Sequence, residues 1–295
     1  MNVRTVSLSR ELPRTMGKVV VASRLHWSNH ARTEAIDDTK ALRQADGFCR
    51  RAATYGDAVV LAIGLPSPLQ DADVFTMSVH AFVQRLQTHL NNNPLITRSG
   101  SACPVVLVPM TYWGSFVPAL NAIIATTATR YPDVDQLLFQ SLEIVVDAAG
   151  VDHLRAKFQV GSDLVVGAAL PGHSYQPNKS QPLPLTGLTT PWNTLAVWDL
   201  TLLAKVGFPL VGEGLRIDGN AAGVEEVSTI ALYQSLYPDQ TRAKVIQVPG
   251  LEWQVDSFDD PERQRWQERK MQSKLERPAK QMEYLSIPTG QVYHL

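Results

Sequence analysis

Five short apolar runs, each bounded by polar residues, constrain this chain more than any other feature. They are "KVVVAS" (residues 18–23), "DAVVLAIG" (57–64), "PVVLVPM" (104–110), "LLF" (137–139) and "DLVVGAAL" (163–170). Runs of this length, rich in Val, Ile and Leu with no polar alternation, read as strands buried on both faces. Between them lie stretches with helical spacing. Leu42, Ala45, Cys49 and Ala52 mark one helix over about 34–55. Val79, Phe82, Val83, Leu86 and Leu90 mark a second, and Val117, Leu120, Ile124 and Thr127 a third; a short helix is expected around 152–158. Strands alternating with helices predict an α/β fold with a mostly parallel sheet flanked by helices. Ligands of such sheets gather beyond the carboxyl ends of the strands, which brings Ser23, Arg24, Ile63, Gly64, Met110, Gln140, Ser141 and Glu143 to one rim.

The second half reads differently. Residues 171–191, "PGHSYQPNKSQPLPLTGLTTP", are rich in Pro, Gly and polar side chains, and a loop of this length predicts a lid or binding loop. "WNTLAVWDLTLLAKVGF" follows without clear punctuation, then a helix over 224–237 and a last strand over 243–250. The expected organisation is an N-terminal arm (1–17), one α/β domain (18–250) and a charged helical tail (251–295). That tail starts a helix at Asp260-Pro261 and ends loosely in "IPTGQVYHL". It packs either on its own body or, through Trp266, on a second copy as a homodimer.

The 295 residues are enough to bury a large core. A formal net charge of −1 provides no global field toward nucleic acid or an anionic membrane. Two cysteines without a C-x-x-C pattern suit a reducing compartment. No apolar run approaches the length of a membrane-spanning helix, and the arm lacks the apolar centre of a secretory signal. A cytoplasmic protein is the expectation.

Chemistry is harder to read. Glycine-rich dinucleotide and P-loop signatures, H-E-x-x-H and G-x-S-x-G are all missing from the sequence. What remains is positional. Gln140, Ser141 and Glu143 follow the fourth strand, and they either hold a ribose, phosphate or divalent metal or cap the next loop. Glu225 and Glu226 open a helix, where its dipole favours negative charge; one of them either serves as a general base or simply caps. Trp192 offers a face for a sugar, with Asn193 and Thr194 beside it, or else fills the core. His173 is either an acid/base or phosphate donor or an ordinary loop histidine. Tyr112 and Trp113 form an aromatic wall over a base or pack inward.

The order of these pieces resembles the GT-A glycosyltransferases, of the inverting, family-2-like type, within the nucleotide-diphospho-sugar transferases. "VPMTYWGSFVPALNAIIATTATRYPDVDQLLFQSLEI" is similar to the family's third strand, helix and fourth strand. "PWNTLAVWDLTLLAKVGFPLVGEG" is similar to its aromatic/polar segment, and "GVEEVSTIALYQ" to its Glu-Asp helix. The resemblance implies a Rossmann-like GT-A fold and transfer of a sugar from a nucleotide-sugar donor to a hydroxyl acceptor, with inversion. Glu226 then matches the base and Glu225 its acidic neighbour. Arg24, Tyr112, Gln140, Ser141, Glu143, His173, Trp192, Asn193 and Thr194 contact substrates, and Glu143 helps hold Mg²⁺ or Mn²⁺. The family's D-x-D element has become "QSLE", and its second glycine before the phenylalanine has become Val206 in Val206-Gly207-Phe208. These departures keep open a non-catalytic nucleotide-sugar-binding or scaffold protein. A nucleotidyltransferase is a third reading, although only Arg24 and Arg32 follow the first strand.

Overall fold

The computed structural model describes residues 17–27, 32–66, 73–213, 224–254 and 261–295, with the backbone alone over 261–272. The arm before Gly17, the loop residues 28–31, the Gly/Asn/Ala segment before Val224, Asp260 and the side chain of Trp266 lie outside the described residues.

The expected strands form. β1 (Val19–Leu25), β2 (Ala58–Gly64), β5 (Val105–Met110), β6 (Gln136–Gln140), β8 (Asp163–Ala168) and β11 (Arg242–Ile246) fall on the apolar runs of the sequence. Smaller pieces separate them: a β3 (Leu95–Ile96)–β4 (Ala102–Cys103) hairpin, β7 (Ile144–Val145), β9 (Leu183–Pro184), β10 (Leu195–Asp199), β12 (Glu252–Trp253) and β13 (Gln291–His294). Nine strands join in one sheet, in the order β5-β2-β1-β6-β10-β8-β11-β13-β9. β5, β2, β1 and β6 run parallel. β10 inserts antiparallel between β6 and β8, and β11 and β13 resume the direction of β8. The result is a mostly parallel, Rossmann-like α/β sheet.

Helices cover both faces, as a parallel sheet requires. α1 (Asp38–Ala53), α2 (Val74–Asn92) and α4 (Ala148–Ala156) belong to one apolar layer, with Phe48, Phe82, Leu86 and Val151 fully buried. α3 (Val117–Arg130), α5 (Leu200–Val206) and α6 (Glu225–Leu236) belong to the other, around Leu120, Leu203, Trp198 and Tyr233. Asp37, Asp73 and Asp147 each cap a helix through a side-chain oxygen. α6 mixes apolar and polar side chains without a polar outer stripe, and its residues from Glu225 to Ala231 are all buried. It lies between the sheet layer and α7 (Pro261–Leu285), which packs on its outer side. No helix among the described residues is long and apolar enough to cross a membrane.

Two parts of the second half differ from expectation. "LAVWD" is β10, a fully buried interior strand that passes directly into α5, and Asp199 caps that helix by accepting from Leu202 N–H at 2.8 Å. "QVYH", expected as a loose terminus, is β13, which pairs with β11 and β9. His294 is fully buried there, and Tyr175 O–H donates to the backbone oxygen of Leu295. The tail therefore closes back into its own sheet.

Candidate functional site

Arg24, next to last in β1, points to the α3 and α6 side of the sheet. Its guanidinium stands 3.5 Å from Glu225 Oε1 and 5.6 Å from the Phe116 ring centre. Glu225 and Glu226 are the first two residues of α6, each 5% exposed. Asn193 joins them. Its backbone N–H donates to Glu226 Oε1 at 2.6 Å, its amide to Glu225 Oε1 at 3.4 Å, and its own Oδ1 accepts from the Trp198 indole at 3.0 Å. Thr194, the next residue, accepts from Ser141 N–H through its backbone oxygen at 2.9 Å. The short 193–194 segment thus links the tip of β6 to the paired glutamates.

The cost of this arrangement is visible in two places. Val224, immediately before the helix, has φ +86°, a left-handed conformation that a β-branched residue rarely adopts. Glu226 is cut off from water, and this burial, followed by the neighbouring charge of Glu225, pushes its carboxyl up to about 8. Asn193 N–H and Arg24 act in the opposite direction. A carboxyl that titrates near neutrality can carry a proton in either direction there.

Beside Arg24 lies an aromatic cluster. The His26 ring is 5.6 Å from Trp113 and 6.3 Å from Phe116, and Trp113 packs over Gly64, where an added Cβ would come within 3.1 Å of the indole. The Trp113 indole N–H is buried and has no hydrogen-bond partner among the described residues. Tyr112 is 71% exposed at its edge. Burial and the charge of Arg24 lower the His26 pKa, which favours a neutral ring for stacking.

Other expected site residues are engaged elsewhere. Gln140 is buried in the core, where its Oε1 accepts from Tyr55 O–H at 2.8 Å and its amide donates to Ile144 O at 3.1 Å. It braces the turn after β6 with both ends of its amide engaged inside the core. His173 accepts from Leu170 N–H at Nδ1 (2.8 Å) and bonds Thr190 O through Nε2 (2.9 Å). Both nitrogens are occupied, and burial lowers its pKa to about 4. Trp192 is 4% exposed and sandwiched, with His173 stacked 3.7 Å away and Lys274 Nζ 3.2 Å from its ring centre. Its indole donates to Gly187 O at 2.9 Å. These two residues fasten the 171–191 segment beneath α7, where Gly187 has no room for a Cβ against the Lys274 backbone. Ser141 and Thr194 are half-buried beside the rim. Glu143 is exposed, and its backbone oxygen accepts from Gln254 N–H. No group of three or more His, Cys, Asp or Glu side chains converges among the described residues.

One residue escaped sequence reasoning. α3 starts at Phe116, which has no side-chain cap. Glu213, 98 residues away from Ser115, supplies it: Oε1 accepts from the N–H groups of Ser115, Phe116 and Val117 at 2.9, 2.8 and 2.8 Å. No local motif announces a cap delivered from that distance.

No protein-family model matches the sequence, and no curated protein matches it either. Solved structures that it resembles include 4-diphosphocytidyl-2C-methyl-D-erythritol synthase from Anaerococcus prevotii, at 12% identity and TM-score 0.39, over 87% of this chain and 97% of that one. Another is S. aureus TarS 1–349, at 13% identity and TM-score 0.30, over 64% of this chain; the shared part spans 48% of that chain. At these scores neither likeness assigns a role to a residue of this protein.

Proposed function

We propose that this protein transfers a sugar from a nucleoside-diphospho-sugar to a hydroxyl acceptor. The observation that carries the reading is the buried carboxyl pair at the start of α6, bridged by Asn193 and set against Arg24 at the carboxyl-end rim. In this reading the base stacks on the His26–Trp113 wall, with Tyr112 at its edge and the free indole N–H donating to a base or ribose oxygen. Arg24 stands against the negative charge that builds on the departing diphosphate. The acceptor oxygen bonds to the anomeric carbon from the face opposite the diphosphate. The bond from that carbon to the diphosphate oxygen breaks, and the nucleoside diphosphate leaves with the electron pair. The acceptor's proton passes to Glu226 in the molecules whose carboxyl is ionised, a fraction that grows as pH rises toward about 8, and the product has inverted configuration. Glu226 is reached only when the cover over the first turn of α6 shifts, which also limits access of water to the donor.

The closed state of Glu226 favours a second reading, a nucleotide-sugar-binding protein on the same fold without turnover. Thermal shift with UDP, GDP and their sugars tests the pocket: the transferase and the binder both predict stabilisation, and no response to any nucleotide sinks both. Donor hydrolysis separates them. The transferase reading predicts turnover in the wild type that Glu226→Gln abolishes, whereas binding without turnover leaves the binder. Pyrophosphate release from a nucleoside triphosphate and a sugar phosphate would instead mark a nucleotidyltransferase.

A further inference from the structure

The 3₁₀ turn Leu210–Glu213 is wedged between the starts of two helices. At one end Glu213 closes the N-terminus of α3 through three N–H groups on one carboxylate oxygen. The fit is tight: Gly114 has φ +62°, and an added Cβ there would lie 2.7 Å from Glu213 Oε1. At the other end Gly212 presses on α6, where an added Cβ would meet Glu225 Cα, Glu225 Cβ and Ser228 Oγ, each at 3.1 Å. α3 also grips the approach to the turn, since Asn121 bonds Phe208 N–H at 2.8 Å and donates to Phe208 O at 2.9 Å. From α7, Gln281 reaches Gly212 O at 3.4 Å. Two helices that share no sequence neighbourhood are thereby held in register through one turn.

We propose that Glu213 is a positioning residue for the glutamate pair: by anchoring the turn to α3 it holds Gly212 against Glu225 and keeps the first turn of α6 closed over Glu226. An anionic anchor suits the task, because the helix start offers both unpaired N–H groups and the positive end of its dipole. The charged groups acting on Glu226 are Glu225 on its own helix and Arg24 on β1. A shift of the turn therefore reaches Glu226 through its solvation and through the placing of Glu225. The bearing of this device on sugar transfer rests on the reading above, but the contact itself does not.

The test follows the glutamate carboxyls by ¹³C NMR across pH 4–10 in the full chain. In the wild type one carboxyl titrates well above the ordinary range. In Glu213→Ala that titration moves down by a unit or more, in Glu213→Gln it moves less because the amide oxygen still accepts, and in Gly212→Ala it moves although Glu213 is intact. If Glu213→Ala does not fold, the other two variants decide. An unchanged titration in the folded variants overturns the proposal, as does a Gln variant as perturbed as the Ala variant. A wild type that binds no nucleotide sinks the transferase reading and leaves this result standing.

Discussion

Replacing Glu226 by glutamine separates the proton that this residue holds from every other titration in the chain. The folded protein keeps Glu226 protonated up to about pH 8, whereas the ordinary value is 4.5. Between those values the folded state binds a proton that the unfolded state has released, so stability falls as pH rises. The contribution is fully present below about 4.5 and is lost progressively until pH passes about 8. Integrated from pH 5 to pH 7, the loss is roughly 2 to 3 kcal/mol, at ~1.4 kcal/mol per unit of displaced pKa. Glutamine has nearly the same shape, can accept the Asn193 N–H through its amide oxygen, and carries no titration. Urea denaturation of both proteins at pH 5 and pH 7 reads the difference directly. The wild type should lose that amount relative to Glu226→Gln on going from pH 5 to pH 7. If the two proteins change in parallel, Glu226 is not a sealed, protonated group and the reasoning about the site fails.

Three further outcomes follow from the geometry. Trp192→Ala removes a ring held against His173 and Lys274 and should cost about 3–5 kcal/mol by denaturant titration, whereas Trp192→Phe, which loses the bond to Gly187 and part of the ring but keeps an aromatic face, should cost less; equal costs would show that the remaining aromatic face contributes little. Asp163 is fully buried between Lys244 and Arg242, so Asp163→Asn strands a buried lysine and should cost about 3–5 kcal/mol; a change below 1 kcal/mol in the same measurement would mean that water reaches the group. His173 should remain neutral to about pH 4 in an imidazole NMR titration, so that its share of stability is lost only as pH falls from about 6.5 through 4. A midpoint near 6.5 would contradict its two internal hydrogen bonds.

The sheet was legible where chemistry and punctuation agreed. β1, β2 and β5 are β-branched runs flanked by polar or turn residues, and the helices between them show a clean apolar stripe. β10 hid because "LAVWDLTLLAKV" runs from strand to helix without a Gly or Pro, and the capping Asp199 belongs to both elements. β13 hid because four residues carry too little pattern, and its burial comes from partners about fifty and a hundred residues upstream. At the site, the glutamate pair stood out through its place at a helix start, and Arg24 through the end of β1. Trp192 and His173 did not reveal that they face each other, since stacking across a loop leaves no spacing in the sequence. Glu213 was invisible for the same reason: its meaning lies in three amides of another helix.

The most direct measurement of the central claim is a structure with a bound nucleoside diphosphate. The account predicts the base against Trp113 and His26, with a phosphate oxygen within hydrogen-bonding distance of the Arg24 guanidinium. A nucleotide bound elsewhere, such as in the shallow groove lined by Val106, Val108, Thr126 and Arg130, would contradict it.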